Sequence, residues 1–223
     1  MMNPFRILGD LSHLGSILIL IYTIRSTNTI EGISFKTQVL YSLVFLTRYL
    51  DLAMFKFISF YNTIMKVFFI ASSIYIVILL QKSKKTNPIS YKEMLLTDSF
   101  KIQYLLLGSC GMAFFFHHSF TPIALLWSFS IWLESVAILP QLFMLTKSGK
   151  AKSITTHYIF ALGLYRALYI PNWIWRYMSE SRFDKLAISA GIIQTLIYSD
   201  FFYIYYKKVI KGKGLALPTY TKS

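Results

Sequence analysis

The sequence has little charge and almost no cysteine. Charged residues make up 14% of its 223 residues, against about 25% in an ordinary soluble domain. Acids are the scarcest, 9 against 23 lysines and arginines, for a net charge of +14. The single cysteine, Cys110, excludes an internal disulfide and so a small secreted fold stapled by bridges. Cys110 lies in an apolar run and is expected to be a small core residue. No HExxH pattern, glycine-rich phosphate loop or nucleophile with a plausible base is present. No histidine pair has metal-ligand context. An enzyme is therefore not expected, and neither a metal nor another cofactor is implied. A cleavable leader is not expected either, because Arg6, Asp10 and His13 interrupt the first apolar stretch.

Apolar length takes the place of charge. Hydrophobic residues reach 55%, aromatics 17%, and the mean hydropathy is +0.52. These values indicate a membrane protein. The surplus of lysine then reads as loops that favour the cytoplasm, not as a nucleic-acid surface. A spanning helix needs about 20 mostly apolar residues. Seven candidates fit: 5–24, 37–55, 59–80, 99–116, 122–146, 154–177 and 184–206. None alternates polar and apolar residues as barrel strands do. The expectation is one all-α domain over 1–223, with 207–223 as a basic tail.

Lysine placement orients it. Segments after the odd-numbered spans carry Arg25 and Lys36, then Lys82, Lys84, Lys85 and Lys92, then Lys147, Lys150 and Lys152, and finally the tail. The opposite segments hold little beyond Lys56, Arg182 and Lys185. This predicts a cytosolic C-terminus and a luminal or exterior N-terminus. Spans one to three and five to seven look like two parallel three-helix repeats joined by span four. Pro140-Gln141 in span five is the Pro-Gln pair of PQ-loop and SWEET-like proteins, whose sites lie near the midplane.

Charges inside the spans are the main functional signal. An ionised side chain at the bilayer centre costs at least about 2.5 kcal/mol. Yet Arg6, Asp10, His13, Arg48, Asp51, Glu134, Arg166, Arg176 and Asp200 all fall within the seven candidates. Arg6, Asp10 and His13 share one helical stripe, and Arg48 and Asp51 are spaced i, i+3. Either set could be an internal ion pair, and Arg166 and Arg176 could pair with Glu134 and Asp200. In span six, Tyr165, Tyr169, Trp173 and Arg176 run along one face beside Arg166 and Asn172, and Pro171 is expected to kink the helix there. Incompletely neutralised arginines around a cavity would form an anion site suited to carboxylates or phosphates. His13 is a candidate pH switch, since histidine changes charge in the mildly acidic range.

Taken together, FRILGDLSHL, GISFKTQVLY, TRYLDL, SFSIWLESVAILPQLFML, THYIF, GLYRALYIPNWIWRY and YSDFFYIYYKKVIKGK resemble the KDEL/HDEL receptor family of the endoplasmic reticulum retrieval pathway. The likeness covers nearly the full length and is poorest near 82–120. It implies a seven-helix receptor of Golgi and endoplasmic reticulum. Such a receptor binds the C-terminal tetrapeptide of escaped luminal proteins more tightly in acid, and returns them through the retrograde COPI coat. By this resemblance Arg176, Arg166 and Arg48 would pass the ligand's terminal carboxylate inwards. Arg6 would meet an acidic ligand side chain and Asp51 the fourth residue from the ligand's end. Tyr169, Asn172, Trp173 and Trp127 would complete the pocket. His13 would be the pH sensor, with Tyr165 and Glu134 bonding when the receptor closes. Lys207, Lys208, Lys211 and Lys213 would form a sorting signal on the tail.

The chain departs from the family at Ala124 in PIALLW and at Ser119, where acidic residues are common. This implies a preference for HDEL or DDEL peptides over KDEL. The rival reading is a SWEET-like transporter of small solutes, which shares the architecture but has no need of so many arginines.

Overall fold

The computed structural model describes residues 3–27, 30–54, 59–148, 153–181 and 183–206. The tail lysines Lys207, Lys208, Lys211 and Lys213 lie outside these residues, as do Lys56, Lys150, Lys152 and Arg182. Within them the chain is helical, and no strand occurs among the described residues. The helices are α1 (Pro4–Thr27), α2 (Phe35–Arg48), α3 (Phe60–Thr86), α4 (Pro88–Thr97), α5 (Gln103–Phe115), α6 (Pro122–Val136), α7 (Leu139–Ser148), α8 (Ser153–Glu180) and α9 (Lys185–Tyr205), with a short 3₁₀ turn at Leu50–Leu52.

Most starts follow from local chemistry. Ser34, Ser59, Asn87, Thr121 and Asp184 each accept a hydrogen bond from a backbone N–H of the first turn of α2, α3, α4, α6 and α9. These caps satisfy donors that a helix leaves unpaired at its start. Pro88 and Pro122 follow their caps, where a missing N–H costs nothing.

Four segments are long and apolar enough to cross a membrane: Pro4–Thr27, Phe60–Thr86, Pro122–Lys147 and Lys185–Tyr203. The other expected spans differ for physical reasons. Span two stops at Arg48, where the chain tightens into the 3₁₀ turn, and span four shortens to the 13 residues of α5. Span six is long enough, but its polar load lowers its hydropathy. Span five is among the four, although its helix is interrupted between α6 and α7 just before Pro140, whose ring clashes with the preceding turn. Helix α4 was not expected; Asn87-Pro88 is its start signal. Pro171 lies inside α8, which continues unbroken on both sides.

Gln141, beside that proline, fastens the α1–α2 connection. Its Oε1 accepts from the Ser34 N–H at 2.8 Å, its Nε2 donates to the Gly32 carbonyl at 2.8 Å, and its backbone N–H donates to Thr37 Oγ1. Gly32 adopts φ +77°, the left-handed region glycine tolerates. Asp98 accepts from Ser34 Oγ and the Lys36 N–H and closes the same corner.

The core runs between α1, α2, α6 and α8, through Leu20, Leu40, Val44, Phe45, Leu133, Ile159 and Leu162. A smaller cluster of Ala113, Ile131, Trp132, Leu186 and Ala190 joins α5, α6 and α9. Large apolar side chains such as Leu11, Val67, Ile78, Leu107 and Leu196 point outwards. So extended an apolar exterior fits a lipid-facing surface. Cys110 is also exposed, on α5, and is not in the core as expected. Apolar residues surround α5, so apolarity alone could not tell its packed face from its outer face.

Candidate functional site

The ends of α1, α2, α3, α6, α8 and α9 enclose a hollow of about 250 Å³. Its polar lining is Arg6, Asp10, His13, Arg48, Lys66, Glu134, Tyr165, Arg166 and Tyr169, with Trp173 at one wall. Two carboxylates organise it, Glu134 buried and Asp10 half-buried. Glu134 is 1% exposed, bonds both Arg48 Nη1 and Arg166 Nη2, and accepts from the Tyr165 hydroxyl. Arg48 also donates from Nη2 to the Ser130 carbonyl at 2.8 Å and from Nε to Ser130 Oγ at 3.1 Å. Asp10 accepts from Tyr169 at 2.6 Å and from Tyr61 at 2.8 Å, and Arg6 Nε lies 3.8 Å from it.

The charges do not balance. Arg6, Arg48, Lys66 and Arg166 line the hollow against the carboxylates Asp10 and Glu134. Asp51, held by Lys66 Nζ, still leaves the cations ahead. Glu134 serves two guanidinium groups, and Arg166 Nε is buried with no hydrogen-bond partner. Burying cations is costly unless they are paired. The surplus of cations and the unpartnered Arg166 Nε suit the lining to an anion. His13 faces the hollow, stacked on Tyr165 with ring centroids 4.2 Å apart and on Phe69 at 4.5 Å.

A second hollow of about 360 Å³ adjoins the first, sharing Trp173 and Ala187. Arg176, His118 and Asp184 line it. Arg176 is paired with Glu180 at 3.2 Å, and His118 Nε2 lies 3.4 Å from Asp184. Each hollow thus has arginine on its lining, with Trp173 and Ala187 common to both. Among the described residues, no group of three or more His, Cys, Asp or Glu could hold a metal ion.

The family model described as the ER lumen protein retaining receptor matches residues 29–176. The ER lumen protein-retaining receptor of Saccharomyces cerevisiae is 69% identical over 218 residues, covering 97% of this chain and 100% of that protein. Its counterpart in Kluyveromyces lactis is 60% identical over 219 residues, 98% of this chain and 100% of its own length. Human ER lumen protein-retaining receptor 2 is 53% identical over 220 residues, 97% of this chain and 100% of its own length. The chain belongs to the ER lumen protein retaining receptor family.

In this family member, the expected residues Arg6, His13, Arg48, Glu134, Tyr165, Arg166, Tyr169 and Trp173 meet around the inner hollow. Arg176 lies in the outer one. Four readings change. Arg48 pairs with Glu134 and Asp51 with Lys66, so the alternative of an internal Arg48–Asp51 pair does not hold. Arg176 meets Glu180, one helical turn on, and not Asp200. Asn172 is buried and accepts from Asn3 Nδ2 at 2.8 Å, tying α8 to the start of α1, where Asn3 Oδ1 accepts the Arg6 N–H. Trp127 packs on His118 with ring centroids 5.2 Å apart and lines neither hollow.

Lys66, Tyr61 and Asn3 were missed. Lys66 had a signal. It is the single charge in the apolar run 59–80, and the cost that drew attention to Arg48 applies to it equally. Asn3 had one too, since Asn3-Pro4 is the same start signal as Asn87-Pro88; Tyr61 had none, because the sequence does not show which tyrosine reaches Asp10.

Proposed function

We propose that the chain is a pH-dependent retrieval receptor. It captures escaped luminal proteins of the endoplasmic reticulum in the Golgi by their C-terminal HDEL-type tetrapeptide. It then returns them in retrograde vesicles through the COPI coat and the tail lysines. One observation carries this reading: cations outnumber carboxylates around a hollow that adjoins a second, arginine-bearing hollow. An HDEL tail offers an aspartate, a glutamate and a terminal carboxylate, and guanidinium forks match each of them. The terminal carboxylate passes from Arg176 through Arg166 to Arg48, Arg6 meets a ligand acid, and Asp51 exchanges Lys66 for the ligand's fourth-from-last residue. The role is capture and release, without catalysis.

The proposed architecture is seven crossings with a luminal N-terminus. Spans one to three are α1, α2 with its 3₁₀ turn, and α3; α5 links; spans five to seven are α6 with α7, α8 and α9. The packing pattern supports two parallel repeats. Exchanging the triples turns α1–α8 contact into α6–α2, α2–α3 into α8–α9, and α1–α3 into α6–α9, and all of these pairs touch.

His13 supplies the pH dependence in this account. A carboxylate arriving in the hollow favours a protonated imidazole, so ligand binding and proton uptake reinforce each other and affinity rises as pH falls. Binding of labelled HDEL peptide at neutral and at mildly acidic pH tests the function. The wild type should tighten in acid, and His13→Ala should bind with little difference between the two conditions. Undiminished tightening in the variant would remove His13 from the switch, and no HDEL binding by the wild type at either pH would sink the receptor reading.

Ligand preference is a separate expectation. Ala124 and Ser119 supply no carboxylate, so a lysine at the ligand's fourth-from-last place has fewer acidic partners. HDEL and DDEL should displace the labelled peptide at lower concentration than KDEL. KDEL as the best competitor would contradict this.

A further inference from the structure

The end of the bundle opposite the hollow carries a surface that capture does not use. The hollow draws on the starts of α1, α3 and α9 and the end of α2. At the other end of α3, Lys82, Lys84 and Lys85 are all exposed. One residue later α4 begins, and it lies against α3 and α7. Its inner face buries Ser90 and Met94. Its outer face shows Ile89, 82% exposed, and Leu96, 70% exposed, with Lys92 and Glu93 exposed between them, so the net positive charge comes from the lysines at the end of α3. Residues 89, 92 and 96 follow the i, i+3, i+7 spacing of one helical face.

That combination is odd for a helix in water and ordinary for one lying in a bilayer surface, where apolar side chains dip below headgroups and lysines meet them. The length of α3 supports the depth. Its 27 residues span about 40 Å, whereas the hydrocarbon layer is about 30 Å thick. The last turn, with its lysines, therefore emerges among headgroups. We infer that Lys82, Lys84, Lys85 and Lys92, with Ile89 and Leu96 of α4, form a docking surface for anionic phospholipid headgroups of the host membrane. Charge complementarity selects the lipid, and the two apolar side chains set α4 at headgroup level. Each lysine beside an anionic surface strengthens attraction about five-fold at moderate salt.

The test uses the full-length chain purified in neutral detergent. Retention of phosphatidylserine and phosphatidylinositol 4-phosphate is compared with phosphatidylcholine by native mass spectrometry. The wild type should keep the anionic lipids at least about ten-fold better. Lys82→Gln/Lys84→Gln/Lys85→Gln/Lys92→Gln should lose that preference while binding HDEL peptide as the wild type does, which also shows that it is folded. The fourfold Lys→Arg variant should keep it, and Ile89→Ser/Leu96→Ser should weaken it. Equal retention of anionic and zwitterionic lipid by the wild type would overturn the inference. So would undiminished preference in the glutamine variant, or displacement of the lipid by inositol phosphate at equal concentration, which would mark a site for soluble phosphate.

Discussion

Replacing Arg48 with alanine should cost HDEL affinity about 100-fold or more, the scale seen when one partner of a buried, hydrogen-bonded charge pair is removed. Arg48 is fixed by Glu134 and by both oxygens of Ser130, so its fork is oriented before ligand arrives. The same fixation means that Arg48→Ala disturbs the resting protein too, and affinity alone cannot separate the two effects. A peptide ending in carboxamide does separate them. If Arg48 receives the terminal carboxylate, the wild type should discriminate strongly between acid and amide peptides, and Arg48→Ala should discriminate weakly, by the logic of a double-mutant cycle. Arg48→Lys should recover part of the affinity, because it restores the charge without the planar fork. An unchanged acid-to-amide ratio in Arg48→Ala would assign the carboxylate to another residue.

Gly191→Ala should be the most damaging glycine-to-alanine change among the described residues. A Cβ there would sit 2.0 Å from Trp173 Cη2 and 2.7 Å from Cζ3, well inside contact distance. Either the indole moves or α9 retreats from α8, at about 1–3 kcal/mol for such overpacking. Trp173 walls both hollows, so the strain reaches the binding route. The expected result is a lower melting temperature and HDEL affinity down on the order of ten-fold, one unit of about 1.4 kcal/mol. Gly108→Ala is the control. Nothing lies within 4 Å of its added Cβ, and alanine is the better helix former by about 1 kcal/mol, so stability should hold or rise. Equal behaviour of the two variants would show that the Trp173 contact does not govern the pocket.

What could be read from the sequence follows from how far each signal reaches along the chain. Arg48, Glu134 and Arg166 stood out because charge in an apolar run is expensive wherever its partner lies. Their convergence on one carboxylate was not legible, since Glu134 is 86 residues from Arg48. Spacing suggested Asp51 as the partner of Arg48, but the helix ends at Arg48, and the i, i+3 relation holds only within a continuous helix. The aromatic face of α8 was visible because it follows one helical period. Asn172 sat beside that face and looked like pocket lining, yet its hydrogen bond to Asn3 depends on how α1 enters the bundle. Helix α4 escaped notice because ten residues with lysine and glutamate among them resemble a loop until the Asn-Pro start is taken seriously.

Glu134 has a consequence for the empty half of a shuttling cycle. Naked guanidinium groups would snare chloride, phosphate or any stray free amino acid. A resident carboxylate, tethered where it is needed, competes at an effective concentration that dilute solutes do not reach. On the proposed reading, the built-in carboxylate sets an entry threshold that favours a guest with several anionic groups at the right intervals.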